Sequence, residues 1–74
     1  MKDDIIVSNH AIMLGKPIIK GTRITVESIL RKLSEGAKFE DIKVMYPHMT
    51  DEHLYAVLAY AADTLANEEV ILVH

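Results

Sequence analysis

The chain contains no cysteine, so neither a disulfide nor a thiolate metal site is open to it. No apolar run approaches the roughly 20 residues that a membrane-spanning helix needs. The run Ile5-Ile6-Val7, after Met1-Lys2-Asp3-Asp4, is too short for the core of a secretory signal. The expected location is therefore the cytoplasm. Repeats, low-complexity tracts and linkers are missing too, and 74 residues are expected to form a single domain, 1–74. Positive charge is absent from the second half: residues 44–74 carry Asp51, Glu52, Asp63, Glu68 and Glu69 and no Lys or Arg. Residues 16–43 hold seven cations (Lys16, Lys20, Arg23, Arg31, Lys32, Lys38, Lys43) against four acids (Glu27, Glu35, Glu40, Asp41). The net charge of −3 thus hides a polarity, and a polyanion must meet the first half. An acidic chain is a mild argument against strong nucleic-acid binding by a monomer.

What is present is apolar surface, at 50% hydrophobic residues. A chain this short buries a modest fraction of its surface, and small domains usually add a disulfide, a metal or a partner chain. With cysteine gone, the apolar excess predicts a second chain, as a homodimer or an obligate complex.

The periodicity predicts a mainly α fold. Ile5-Ile6-Val7 reads as a short strand before a break at Ser8-Asn9-His10. Pro17-Ile18-Ile19 and Thr22-Arg23-Ile24 read as extended, with the bend at Lys20-Gly21, where Gly21 supplies the positive φ that the third residue of a type II turn requires. A first helix starts at Thr25, whose hydroxyl caps the first turn, and ends at Gly36, with Val26, Ile29, Leu30 and Leu33 as its apolar stripe. A second spans about Lys38 to Met45, with Phe39, Ile42 and Met45 as its stripe and Pro47 as its stop. Lys38 is a poor cap for it. A third begins after Thr50, with Asp51 and Glu52 in its first turn and Leu54, Val57, Leu58, Ala61 and Leu65 in period, and ends near Asn67. Tyr55, Ala59, Ala62 and Ala66 form a second flank of mostly small residues, which suits either close approach of a partner helix or simple helix propensity. Val70-Ile71-Leu72-Val73 reads as a terminal strand that needs a pairing partner, such as Ile5-Ile6-Val7 of the same or another chain. Two helices joined across Pro47-His48-Met49 fit a helix-turn-helix, a shape used both for DNA binding and as bare scaffold.

Several sharper chemistries fail on spacing. A phosphate-binding loop needs Gly then Lys at the end of its cradle, whereas Lys20-Gly21 follow Gly15 in reverse order and Pro17 removes an amide. His48 and His53 are five apart with Pro47 and a helix start nearby, so they do not share a helix face as metal ligands do, and solvated or hydrogen-bonded histidines are expected. The acid pairs Asp51-Glu52 and Glu68-Glu69 point different ways on a helix, and Ser8, Ser28 and Ser34 have no His at a recognisable spacing. No catalytic residue, metal site or cofactor is expected, and the chain is not expected to be an enzyme. Lys16, Lys20 and Arg23, with no acid between them, are the candidate contacts to a nucleic-acid backbone, with a structural turn and solvated cations as the alternative. The N-terminal residues of the third helix (Thr50, Asp51, Glu52, His53, Tyr55) offer two acids and no cation, a poor surface for base reading.

One ordered set of residues goes further: Gly15-Lys16-Pro17-Ile18-Ile19, Gly21-Thr22-Arg23-Ile24, Val26, Gly36, Ile42, Tyr46-Pro47-His48-Met49-Thr50 and Ala59-Tyr60-Ala61-Ala62. With these the chain resembles, over about residues 5–64, the bacterial and archaeal family called domain of unknown function four-three-three. The resemblance implies a homeodomain-like three-helix helix-turn-helix behind a short N-terminal β-hairpin. It also implies a VapB-like antitoxin of a type II toxin–antitoxin pair, neutralising a PIN-like ribonuclease toxin by protein contact, with operator DNA as a second expected partner of the dimer. The family often has Pro at the position of Thr25, a basic residue near Tyr55, and Ser or Thr at Lys38. Tyr55 removes a cation from the supposed recognition helix, which weakens the DNA role more than the antitoxin role. The expected partner or dimer interface is Val70, Ile71, Leu72 and Val73 together with Tyr55, Ala59 and Ala62. The alternative is a dimeric protein-interaction module without nucleic-acid binding.

Overall fold

A computed structural model describes residues 5–67. Its elements are β1 (Ile6–Val7), β2 (Ile18–Ile19), α1 (Val26–Ser34), α2 (Phe39–Met45) and α3 (Asp51–Ala66). The architecture is mainly helical, three helices behind a two-stranded antiparallel hairpin. Among the described residues no helix is long and apolar enough to cross a membrane. The expected strand Val70–Val73 lies outside the described residues.

In the hairpin Ile6 faces Ile19 and Val7 faces Ile18, and the Lys20 amide donates to the Ile5 carbonyl at 2.8 Å. The far side of β2 is occupied as well. The Ile19 amide donates to the Ile24 carbonyl at 2.9 Å, and Ile18 bridges Thr25. The bend between these limbs closes where the Thr22 amide donates to the Ile19 carbonyl at 3.0 Å, with Gly21 at φ 83° in the third position. That is the geometry which glycine supplies without a Cβ penalty. The Thr22 hydroxyl tightens it, donating to the Ile19 carbonyl at 2.8 Å and accepting from the Ile24 amide at 2.9 Å.

The hairpin hands over directly to α1. Thr25 Oγ1 accepts from the Ser28 amide at 3.0 Å, and the Val26 amide, free of helical partners, donates to the Pro17 carbonyl at 2.9 Å. At the other end Gly36 (φ 104°) donates to Leu33 and Ala37 donates to Lys32, the paired bonds of a Schellman stop. Lys38 gives α2 no side-chain cap. Asp41 supplies what Lys38 does not, its carboxylate accepting from the Lys38 amide at 2.8 Å. Helix α3 opens at Thr50, whose hydroxyl accepts from the His53 amide at 3.3 Å, while His53 Nδ1 accepts from the Thr50 amide at 3.0 Å. His53 therefore does the work that Glu or Gln does in a capping box, and the ring is held by hydrogen bonds to its own helix start.

Ile19, Val26, Ile29, Ile42, Met49, Leu54 and Val57 make the core, one cluster drawn from the hairpin and all three helices. Fully burying an aliphatic side chain of this size contributes about 1.5–3 kcal/mol. The α1 stripe behaves as its period predicts, with Leu30 and Leu33 half-buried against the cluster. The stripes of α2 and α3 are only partly covered. Met45 of α2 is 47% exposed, and in α3 only Leu54 and Val57 are buried while Leu58 and Leu65 stand 40% and 70% exposed. A helix keeps its apolar period along its whole length, but among the described residues α1 leaves an open groove along the late turns of α3, so Leu65 stays largely exposed although Val26 and Leu30 line the same groove.

Candidate functional site: a cationic turn and an apolar helix flank

The three candidate cations do not share one environment. Lys16 precedes β2 and its Nζ lies 3.2 Å from Glu27 Oε1 in the first turn of α1. Arg31, one turn further on, reaches Glu27 Oε2 at 3.3 Å. Glu27 is exposed, and its carboxyl is held below the usual carboxylate range first by the hydrogen bond from Lys16 and then by that from Arg31. The view of Lys16, Lys20 and Arg23 as a cluster of unopposed charge is thereby corrected, since Glu27 opposes Lys16. The sequence hid this because the two lie 11 positions apart and meet only when the hairpin folds against α1. Lys20 and Arg23 flank Gly21 at the bend, are exposed, and form no ion pair with any described residue. Among the described residues they are the cations of the turn without an acidic partner.

The N-terminus of α3 carries Asp51 and Glu52 in its first turn, where carboxylates favour the positive helix end. Asp51 also holds Lys43 of α2 at 2.6 Å, which engages that cation. Tyr55 packs edge-to-face on Phe39 of α2, ring centroids 5.4 Å apart, yet remains 62% exposed.

Two grooves run beside α3. One, of about 620 Å³, lies between β1 and α3: Ile5 and Ile6 form one wall, Tyr55, Ala56, Ala59 and Tyr60 the other, with Glu52 and Asp63 as its first and last contributions from the helix. The second, about 490 Å³, lies between α1 and the late turns of α3, where Val26 and Leu30 face Ala61 and Leu65 beside Pro17 and the Glu27–Arg31 pair. Of the expected interface residues, Tyr55 and Ala59 line the first groove, Ala62 is exposed but lines neither, and Val70 to Val73 lie outside the described residues. The contributions of Ile5, Ile6 and Tyr60 were not legible as site residues. The small-residue flank of α3 was the available signal for one wall, whereas the opposite wall depends on where the hairpin lands.

No curated protein and no solved structure matches the chain. A family model does, over residues 6–61, and it is described as a protein of unknown function (DUF433); the chain belongs to that family.

Proposed function

We propose that the protein acts by protein–protein contact, as the antitoxin of a type II toxin–antitoxin pair that occupies a PIN-like ribonuclease encoded beside it. It does no chemistry of its own in this reading. The observation that carries the proposal is the apolar late half of α3, where Leu58, Tyr60 and Leu65 are exposed and two grooves flank the helix. Large apolar side chains gathered on one helix of a small domain are what a partner surface covers. The antitoxin role itself rests on the family resemblance. The three helices are consistent with a homeodomain-like helix-turn-helix, which we take as the fold of the dimeric form. Co-expression with the neighbouring open reading frame tests the proposal. Co-purification and rescue of growth are expected, and a nuclease that stays toxic and unbound refutes the antitoxin role.

Operator DNA is the weaker half of this reading. Lys20 and Arg23 are the side chains suited to phosphate, with Lys16 engaged by Glu27. Two phosphate contacts per protomer give a dimer a log–log salt slope of about −3.6. Fluorescence anisotropy on the upstream DNA should show weak binding at low salt that vanishes as salt rises. The runner-up, an interaction module with no nucleic-acid role, is favoured by the acids at the start of α3 and by the Asp51–Lys43 pair. Absence of binding at low salt selects it.

A further inference from the structure

The groove between β1 and α3 has two properties beyond its apolar walls. The first is a free main-chain edge. The Lys20 amide bonds the Ile5 carbonyl, so Ile5 and Lys20 form a hydrogen-bonded pair of the antiparallel ladder, and the Ile6–Ile19 pair next to it is a non-bonded one. The amide and carbonyl of Ile6 therefore point away from β2, and among the described residues they have no backbone partner. Ile6 also lines the groove. The second property is charge. Glu52 and Asp63 are both exposed, lie on one face of α3 about 16 Å apart along its axis, and the groove lining contains no Lys or Arg.

We propose that this groove receives an extended segment of a partner protein, with apolar side chains in its middle and Lys or Arg at its ends. The segment adds to the free edge of β1 through the Ile6 main chain. Its apolar side chains lie against Tyr55, Ala56 and Ala59, and its terminal cations meet Glu52 and Asp63. An extended chain rises about 3.3 Å per residue, so about five residues span the acids. The chain's own segments do not fit this description. Residues 68–74 contain Glu68 and Glu69 and no Lys or Arg, so they lack the cations that such a segment needs at its ends. The one Lys-bounded apolar run, Lys16 to Lys20, keeps Ile18 and Ile19 at 1% and 2% exposure in its own fold, so a second copy has no such side chains to offer. The inference rests on the antitoxin reading in that it gives the nuclease a place to bind.

The test uses the full isotope-labelled chain and two short peptides of alternating valine and threonine, one ended by lysines and the other by glutamates. The lysine peptide should produce saturable NMR shifts at Ile6, Tyr55 and Ala59, and the glutamate peptide should bind about tenfold more weakly. The double variant Glu52→Lys with Asp63→Lys, checked for a dispersed spectrum, should reverse that preference. Equal affinity for both peptides, shifts confined to other residues, or no saturable shift overturns the proposal. So does a dimer in sedimentation whose contact covers Ile6 and Ala59. A nuclease that co-purifies equally well with the double variant refutes the groove and leaves the antitoxin role standing. A nuclease that ignores the wild-type chain refutes that role, while the peptide result is read by itself.

Discussion

Leu14 holds a left-handed backbone, φ 56°, with 87% of its side chain exposed, between Met13 at φ 52° and Gly15 at φ 84°. Only glycine adopts this region freely; an ordinary residue there costs roughly 1–2 kcal/mol. Because Leu14 is so exposed, replacing it loses little apolar burial. Leu14→Asn should raise stability by about 0.5–1 kcal/mol, since asparagine tolerates the left-handed region better, and urea unfolding measures it. A loss of stability would show that Leu14 is held by contacts. Glu27 gives a second prediction at this scale. Its carboxyl is depressed in the folded chain, so its contribution is present above the unfolded value and is lost as pH falls through the folded one. In an NMR titration of the Glu27 carboxyl, Lys16→Met should raise the midpoint more than Arg31→Met, because the Lys16 hydrogen bond is the larger cause. Gly15 marks a left-handed position to anyone reading the sequence. Nothing in Met13 or Leu14 does, because their conformation joins Asn9–Ile12, itself a tight turn, to the extended Lys16.

Helix boundaries are where the elements were most legible. Thr25, Gly36 and Thr50 each do what their chemistry predicts, because a cap bonds groups within a few positions of itself. The two caps that escaped notice are also local. Asp41 binds back to the Lys38 amide, and His53 binds back to the Thr50 amide. The second is unusual only in the residue that performs it. Thr50→Ala should destabilise the protein by about 1 kcal/mol. His53→Ala should cost less, because the Thr50 hydroxyl cap stays in place and alanine is the strongest helix former, and His53→Gln should restore most of the loss. Thermal melting followed by far-ultraviolet dichroism compares all three. If His53→Gln is no better than His53→Ala, the ring does not act as the acceptor.

At the scale of the molecule, α3 is two helices in one. Its first half inserts Leu54 and Val57 into the core, each 0% exposed, whereas Leu58 at its middle and Leu65 near its end stand in solvent. Leu54→Ala should cost roughly 2–5 kcal/mol, enough to threaten a domain this small. Leu65→Ala should change the stability of the isolated chain by no more than about 0.5 kcal/mol. On the proposed function, the same Leu65→Ala should weaken nuclease co-purification. Equilibrium unfolding of both variants beside the pull-down separates a core residue from a partner residue of the same type. Equal destabilisation by the two would mean that α3 is covered along its length.

The sequence by itself determined what is settled within a few residues along the chain. These are the three helices and their ends, the bend at Gly21, the apolar stripe of α1 and the acid-rich start of α3. It also carried the ordered motif by which the family could be identified. Tertiary structure decided what depends on positions far apart. Glu27 is brought to Lys16, which leaves Lys20 and Arg23 as the cations of the turn that have no ion pair among the described residues. The hairpin lays Ile5 and Ile6 beside α3 and so makes a groove from a helix flank that periodicity alone showed as one face. Leu54 and Leu65 obey the same helical period, and the packing of the other elements closes over the first while leaving the second at the open groove beside α1. A period fixes which way a side chain faces along its helix. Whether anything waits there is fixed by the packing of the other elements.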